Sequence, residues 1–106
     1  MTRYAKRTDA NQSDVVADFR AAMPTATVKV MSGTGEGFPD LAIGWKHVNF
    51  LFELKDPEKS PSARQLTRAQ QDMHATWQGQ IAVVHSAAEI IAHIAEYFAE
   101  HGRRAK

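Results

Sequence analysis

At 106 residues the chain has room for one domain, with residues 7–100 as its core and roughly two thirds of the unfolded surface within reach of burial. A composition of 43% hydrophobic and 24% charged residues is that of a soluble globular protein, and a net charge of +1 is too small to argue for nucleic-acid binding by itself. Without cysteine the chain forms no disulfide, thiolate zinc site or cysteine nucleophile, and no stretch reaches the roughly 18 apolar residues of a membrane span.

The spacing predicts a first helix over residues 11–23. Asn11 is the expected N-cap, Asp14 falls in the first turn, and Val15, Val16, Phe19 and Met23 form a buried stripe. Pro24 ends it. The β-branched alternation of residues 27–31 predicts a strand, followed over residues 32–38 by a loop holding Gly33, Gly35 and Gly37. Residues 40–45 and 49–55 are expected as two strands of a hairpin turning around Lys46 and His47. A polar loop with Pro57 and Pro61 fills residues 56–64. A second helix is predicted over residues 67–77, with Ala69, Met73 and Trp77 four apart and Gly79 closing it. Residues 81–84 are an apolar run, expected as a buried strand. Ser86 is the expected cap of a last helix, with Glu89 completing a capping box, Ile90, Ile91, Ile94 and Phe98 on the core face, and Gly102 as the stop.

The chemistry concentrates in residues 37–55. Strand side chains alternate faces, so Phe50, Phe52 and Leu54 supply a core face while Leu51, Glu53 and Lys55 point the other way. With Trp45 to Val48 as the hairpin connection, Asp40 lies opposite Glu53. Two opposed carboxylates repel unless a divalent cation sits between them, and hard oxygen ligands suit Mg²⁺, with the Leu54 carbonyl available to complete the shell. Such an ion lowers the pKa of a bound water and steadies charge on a phosphoryl oxygen, while Lys55 orients the water or neutralises developing charge. The alternative is a surface hairpin carrying a Glu–Lys ion pair.

Other candidates divide evenly. Thr67 and Gln70 form a T-x-x-Q capping box, and a helix start of this kind can also face a site. Lys59, Arg64 and Arg68 could contact phosphates or simply be solvated. The loop of three glycines is either the rim of a DNA groove or a plain connection; no Lys-Ser/Thr follows it, so a nucleotide P-loop is rejected. His47, His74, His85, His93 and His101 lack zinc-site spacing and are expected at the surface, with His74 on the helix of Gln70. Trp45 and Trp77 are expected as core or dimer contacts. Arg3, Lys6 and Arg7 at one end, and Arg103, Arg104 and Lys106 at the other, read as solvated ends. The opening residues show no apolar run after their charges, so no signal peptide is expected and the cytoplasm (of a host cell, for a viral protein) is the expected location.

Taken together, Gly37-Phe38-Pro39-Asp40-Leu41, Phe52-Glu53-Leu54-Lys55-Asp56, Pro61-Ser62, Leu66-Thr67-Arg68-Ala69-Gln70 and Trp77-Gln78-Gly79 before Ala82-Val83-Val84, with Asp9-Ala10-Asn11-Gln12 opening the first helix, resemble the VRR-NUC family of PD-(D/E)XK nucleases, especially its small stand-alone viral and prophage members. The resemblance covers residues 7–95. It implies an α/β fold with a restriction-endonuclease-like core in α-β-β-β-α-β order, a mixed sheet flanked by helices, and here an added C-terminal helix. It further implies a Mg²⁺- or Mn²⁺-dependent DNA endonuclease selective for branched DNA, related to Holliday-junction resolvases and homodimeric, without a nucleotide cofactor. On that basis Asp40 and Glu53 are metal ligands, Lys55 is the catalytic lysine and Gln70 an accessory active-site residue. Many relatives place a glutamate in the first helix where this chain has Gln12, which shares a face with Val16 and Phe19 and is expected to reach the site without bringing charge. A DNA-binding or assembly module that keeps the fold but cuts weakly is the alternative.

Overall fold

The computed structural model describes residues 10–105, so Arg3, Lys6, Arg7, Asp9 and Lys106 lie outside the described residues. The elements follow the order α1 (Ala10–Ala22), β1 (Thr27–Val30), β2 (Leu41–Trp45), β3 (Val48–Leu54), α2 (Arg68–Thr76), β4 (Gln80–Val84) and α3 (Ala87–Ala105), an α/β arrangement. The four strands form one mixed sheet in the order β1-β2-β3-β4, antiparallel except for the parallel pair β3–β4. None of the helices among the described residues is long and apolar enough to cross a membrane.

One face of this sheet carries the core. Leu41, Ile43, Phe50, Phe52, Leu54 and Val84 from the strands pack against Val15, Val16 and Phe19 of α1 and Ile90 and Ile94 of α3. Each such side chain, fully buried, stabilises the fold by about 1.5–3 kcal/mol. The stripe expected on the first helix is therefore the one buried, with Met23 partly buried beside it. Glu53 belongs to the opposite face by alternation, and α2, which has no buried residue of its own, lies on that side with Gln70 touching Glu53.

Several expectations are corrected in detail. Asn11 is no cap: α1 already begins at Ala10, and no acidic residue, Asp14 included, stands in its first turn. Asp40 precedes β2 instead of opening it, and Lys55 follows β3, although its amide still donates to the Val84 carbonyl at 3.1 Å. A short 3-10 turn, Ser62–Arg64, interrupts the loop before α2. β4 is an edge strand, so only Val84 of its five residues is buried. Trp77 is no core residue either; it caps the C-terminus of α2 and is 42% exposed. Ser86 caps α3 through Oγ to the Glu89 amide at 3.2 Å, but the Glu89 carboxylate accepts from the His85 amide at 2.9 Å, one residue before the partner a capping box uses. Gly102 does not stop α3, which continues to Ala105; Gly102 is exposed, and a lone glycine inside a helix costs only about 1 kcal/mol.

Candidate active site

Register brings the two carboxylates together. Leu41 pairs with Phe52 across β2 and β3, which carries Asp40 opposite Glu53 one step beyond. That register is set by a two-residue turn in which Lys46 (φ 52°) and His47 (φ 67°) are both left-handed, the geometry that matches strand twist in tight hairpins. Pro39 is fully buried just before the acid, anchoring its backbone. Asp40 Oδ2 accepts from the Leu54 amide at 2.8 Å, so the first carboxylate is tied to the strand that carries the second.

Glu53 is only 3% exposed. Its Oε2 accepts from Gln70 Nε2 at 2.9 Å and stands 3.7 Å from Lys55 Nζ. Its Oε1 is buried with no hydrogen-bond donor among the described residues. Burial, followed by the neighbouring Asp40 carboxylate, pushes the Glu53 carboxyl up to about 8, against a smaller opposing pull from Lys55. Two neighbouring acids, with one buried oxygen of Glu53 left without a donor, form a pocket short of positive charge. A divalent cation between them would satisfy both, and the oxygen-only donor set fits a hard ion. Among the described residues no three His, Cys, Asp or Glu side chains converge, so the charged part of any such shell is this pair.

Gln70 ties the site to the helix. Its Oε1 accepts from the Thr67 amide at 2.9 Å and from Lys55 Nζ at 3.0 Å, while Thr67 Oγ1 accepts from the Gln70 amide at 3.1 Å. One side chain thus closes the capping box of α2 and hydrogen-bonds both Lys55 and Glu53. The approach of α2 depends on Gly37 (φ +78°): a Cβ there would stand 2.4 Å from the Ala69 carbonyl carbon. The glycine-rich loop is therefore packed against the start of this helix at its last glycine.

Gln12 is buried, as its helix face demands, and reaches Asp40 through Ser32. Ser32 Oγ lies 2.9 Å from Gln12 Oε1 and 3.2 Å from Asp40 Oδ1, with one proton to give between the two. Sequence reasoning missed Ser32. A serine opening a glycine-rich loop carries no spacing signal; only the Met31 amide bonded to the Asp40 carbonyl at 2.7 Å brings it alongside the acid.

His74 lies one turn beyond Gln70 on the same face of α2, half-buried, with Nε2 shielded and without a hydrogen-bond partner. Burial and then the Lys55 charge lower its pKa, so the ring beside the site is neutral at neutral pH. The three proposed phosphate contacts make no hydrogen bond or ion pair with Asp40, Glu53, Lys55 or Gln70. Lys59 is exposed, Arg64 is half-buried in the 3-10 turn with its Nε shielded, and Arg68 pairs with Asp72 at 3.3 Å on the outer side of α2. Comparison with known proteins adds nothing to this geometry: no protein-family model, curated protein or solved structure matches the chain.

Proposed function

We propose that this chain is a divalent-metal-dependent nuclease of the PD-(D/E)XK superfamily, of the VRR-NUC type, that hydrolyses phosphodiester bonds in branched DNA such as four-way junctions or flaps. The observation that carries the reading is the opposed pair of Asp40, just before β2, and Glu53 on β3, one oxygen of it buried and without a donor, with Lys55 beside it.

Asp40 and Glu53 would hold Mg²⁺, or Mn²⁺ in its place, with the Leu54 carbonyl and Gln12 as uncharged oxygen donors. The Leu54 amide already points at Asp40, and in an extended strand a residue's carbonyl projects to the same side as its amide. When bound, the ion supplies Lewis acidity and a more acidic water. Lys55 does the rest of the electrostatic work. Its ammonium, hydrogen-bonded to Gln70, would offset the charge that develops on a phosphoryl oxygen as water adds to phosphorus and the ester oxygen leaves with a proton. Gln70 positions Lys55 and Glu53, and neutral His74 adds no positive charge that would repel the ion.

The small surface of one monomer argues for a homodimer with two sites for paired cuts, acting in the cytoplasm. A second reading, a DNA-binding or assembly module with weak cleavage, is favoured by Gln12, an amide where many proteins of this type carry a glutamate, and by the lack of a third acid converging on Asp40 and Glu53 among the described residues. The test is incubation with Mg²⁺ or Mn²⁺ and a panel of linear, flapped and four-way DNAs. Cleavage is expected, falling at least about 100-fold in Asp40→Ala and in Lys55→Ala. Binding without cutting on every substrate would favour the module.

A further inference from the structure

Two large hydrophobic side chains stand exposed among the described residues, Val30 and Trp77. Trp77 is the unusual one, because it is exposed and yet held. The Phe38 ring meets it edge-on, centroids 6.0 Å apart at 89°. Its amide donates to the Met73 carbonyl at 3.0 Å as the C-cap of α2. Gly79 leaves room for the indole, since a Cβ there would stand 2.9 Å from Trp77 Nε1. An exposed indole costs the fold its burial, and this one is held by the Phe38 ring and seated close to Gly79 while 42% of its surface stays open.

Its position relates it to the acid pair from two directions. Trp77 follows Gln70 by seven residues, two turns along the same face of α2, or about 10 Å along the helix axis. Phe38 is separated from Asp40 only by the fully buried Pro39. The platform and the acid site are thus built on the same two segments. That rise along α2 separates Trp77 from Gln70, the residue that touches Glu53, and corresponds to about three nucleotides at the 3.4 Å spacing of a stacked strand.

We propose that Trp77, braced by Phe38, is a stacking platform for an unpaired base lying a few nucleotides from the scissile phosphate, and so selects DNA with a single-stranded segment beside the cut. The inference rests on the nuclease reading above and supplies its substrate class. An indole face takes any base, because every base has a π-face, but a base inside a duplex already stacks on its neighbours and has no free face to offer. Flaps and single-stranded tails present such bases; blunt duplex does not.

The chain has two tryptophans, so Trp45→Phe leaves Trp77 as the sole indole reporter. With Lys55→Ala added so that DNA is not consumed, Trp77 fluorescence is followed while oligo-dT, a flap or a blunt duplex is titrated in Mg²⁺, with anisotropy of labelled DNA measured in parallel. Oligo-dT and the flap are expected to quench Trp77 and the duplex is not. Trp77→Ala should weaken oligo-dT binding by about ten-fold or more, and Trp77→Phe should restore most of it. DNA binding seen by anisotropy with unchanged Trp77 fluorescence, or equal quenching by duplex, overturns the platform and leaves the nuclease reading standing. Quenching by oligo-dT, together with a wild-type chain that cleaves neither DNA nor bis-p-nitrophenyl phosphate, keeps Trp77 as a base-stacking residue but overturns the nuclease reading and, with it, any selection beside a cut. No binding to any DNA overturns both.

Discussion

Glu53 concentrates the argument at the scale of single residues. A buried acid with one oxygen satisfied, the other without a donor and a second acid beside it is tolerable only with a proton or a cation. Its folded pKa of about 8 lies above the ordinary 4.5. Between those values the folded chain keeps a proton that the unfolded chain has lost, so the contribution of Glu53 to stability is full at low pH and falls as pH rises through the window, by up to about 1.4 kcal/mol per unit. Thermal melts of the metal-free chain at about pH 5 and pH 8 should therefore show a drop of several degrees that Glu53→Gln removes, and Mg²⁺ at pH 8 should restore the wild-type Tm. Parallel pH slopes for the two proteins would contradict this. Asp40, Glu53 and Lys55 were legible in the sequence because strand alternation and hairpin register are local rules. Ser32 was not, because its contact with Asp40 depends on how β1 and β2 pair beyond their ends.

The second helix separates stability from chemistry at the scale of elements. Thr67 and Gln70 share one capping box, but only Gln70 reaches Lys55 and Glu53. Thr67→Ala should cost about 1 kcal/mol in chemical denaturation and keep DNA cleavage, whereas Gln70→Ala should lose both. Equal activity in the two variants would reduce Gln70 to a cap. Gly37 tests how α2 is seated. Gly37→Ala combines a left-handed backbone with a backbone clash and should cost roughly 2–4 kcal/mol, while Gly33→Ala, at φ +90° with nothing within 4 Å of its Cβ, should cost only about 1–2 kcal/mol. Helix faces and strand existence followed from periodicity, which is why the α1 stripe and the Phe50/Phe52/Leu54 face emerged as drawn. Ends did not. Gly102 looked like a stop because glycine usually ends helices, yet an exposed helix tail tolerates it. The Lys46-His47 turn carries none of the Gly or Asn chemistry that marks left-handed residues; Lys46 instead lays its ammonium 5.6 Å from the Trp45 ring and 5.7 Å from the Phe98 ring.

On the scale of the whole molecule, α1 and α3 cover one sheet face, α2 lies on the other, and the carboxylates project to that second side at the junction of β2 and β3. β4 ends the sheet with an uncharged run, Gln80–Val84, lacking the lysine or proline that commonly guards an open edge. Sedimentation at micromolar concentration is expected to show a dimer, and a monomer throughout would remove the paired-site geometry proposed for four-way junctions. The order of elements could be read in advance because each is short and locally signalled, but the exposure of β4 and of Trp77 could not, since apolar composition does not say which strand ends up at an edge or which aromatic is left outside. The proposed chemistry needs one ion shared by Asp40 and Glu53. Crystals soaked in Mn²⁺ and measured for its anomalous signal test that directly: a single peak is expected within about 2.0–2.3 Å of a carboxylate oxygen of both Asp40 and Glu53. A peak bound elsewhere, or none at that position in a well-ordered site, would contradict it.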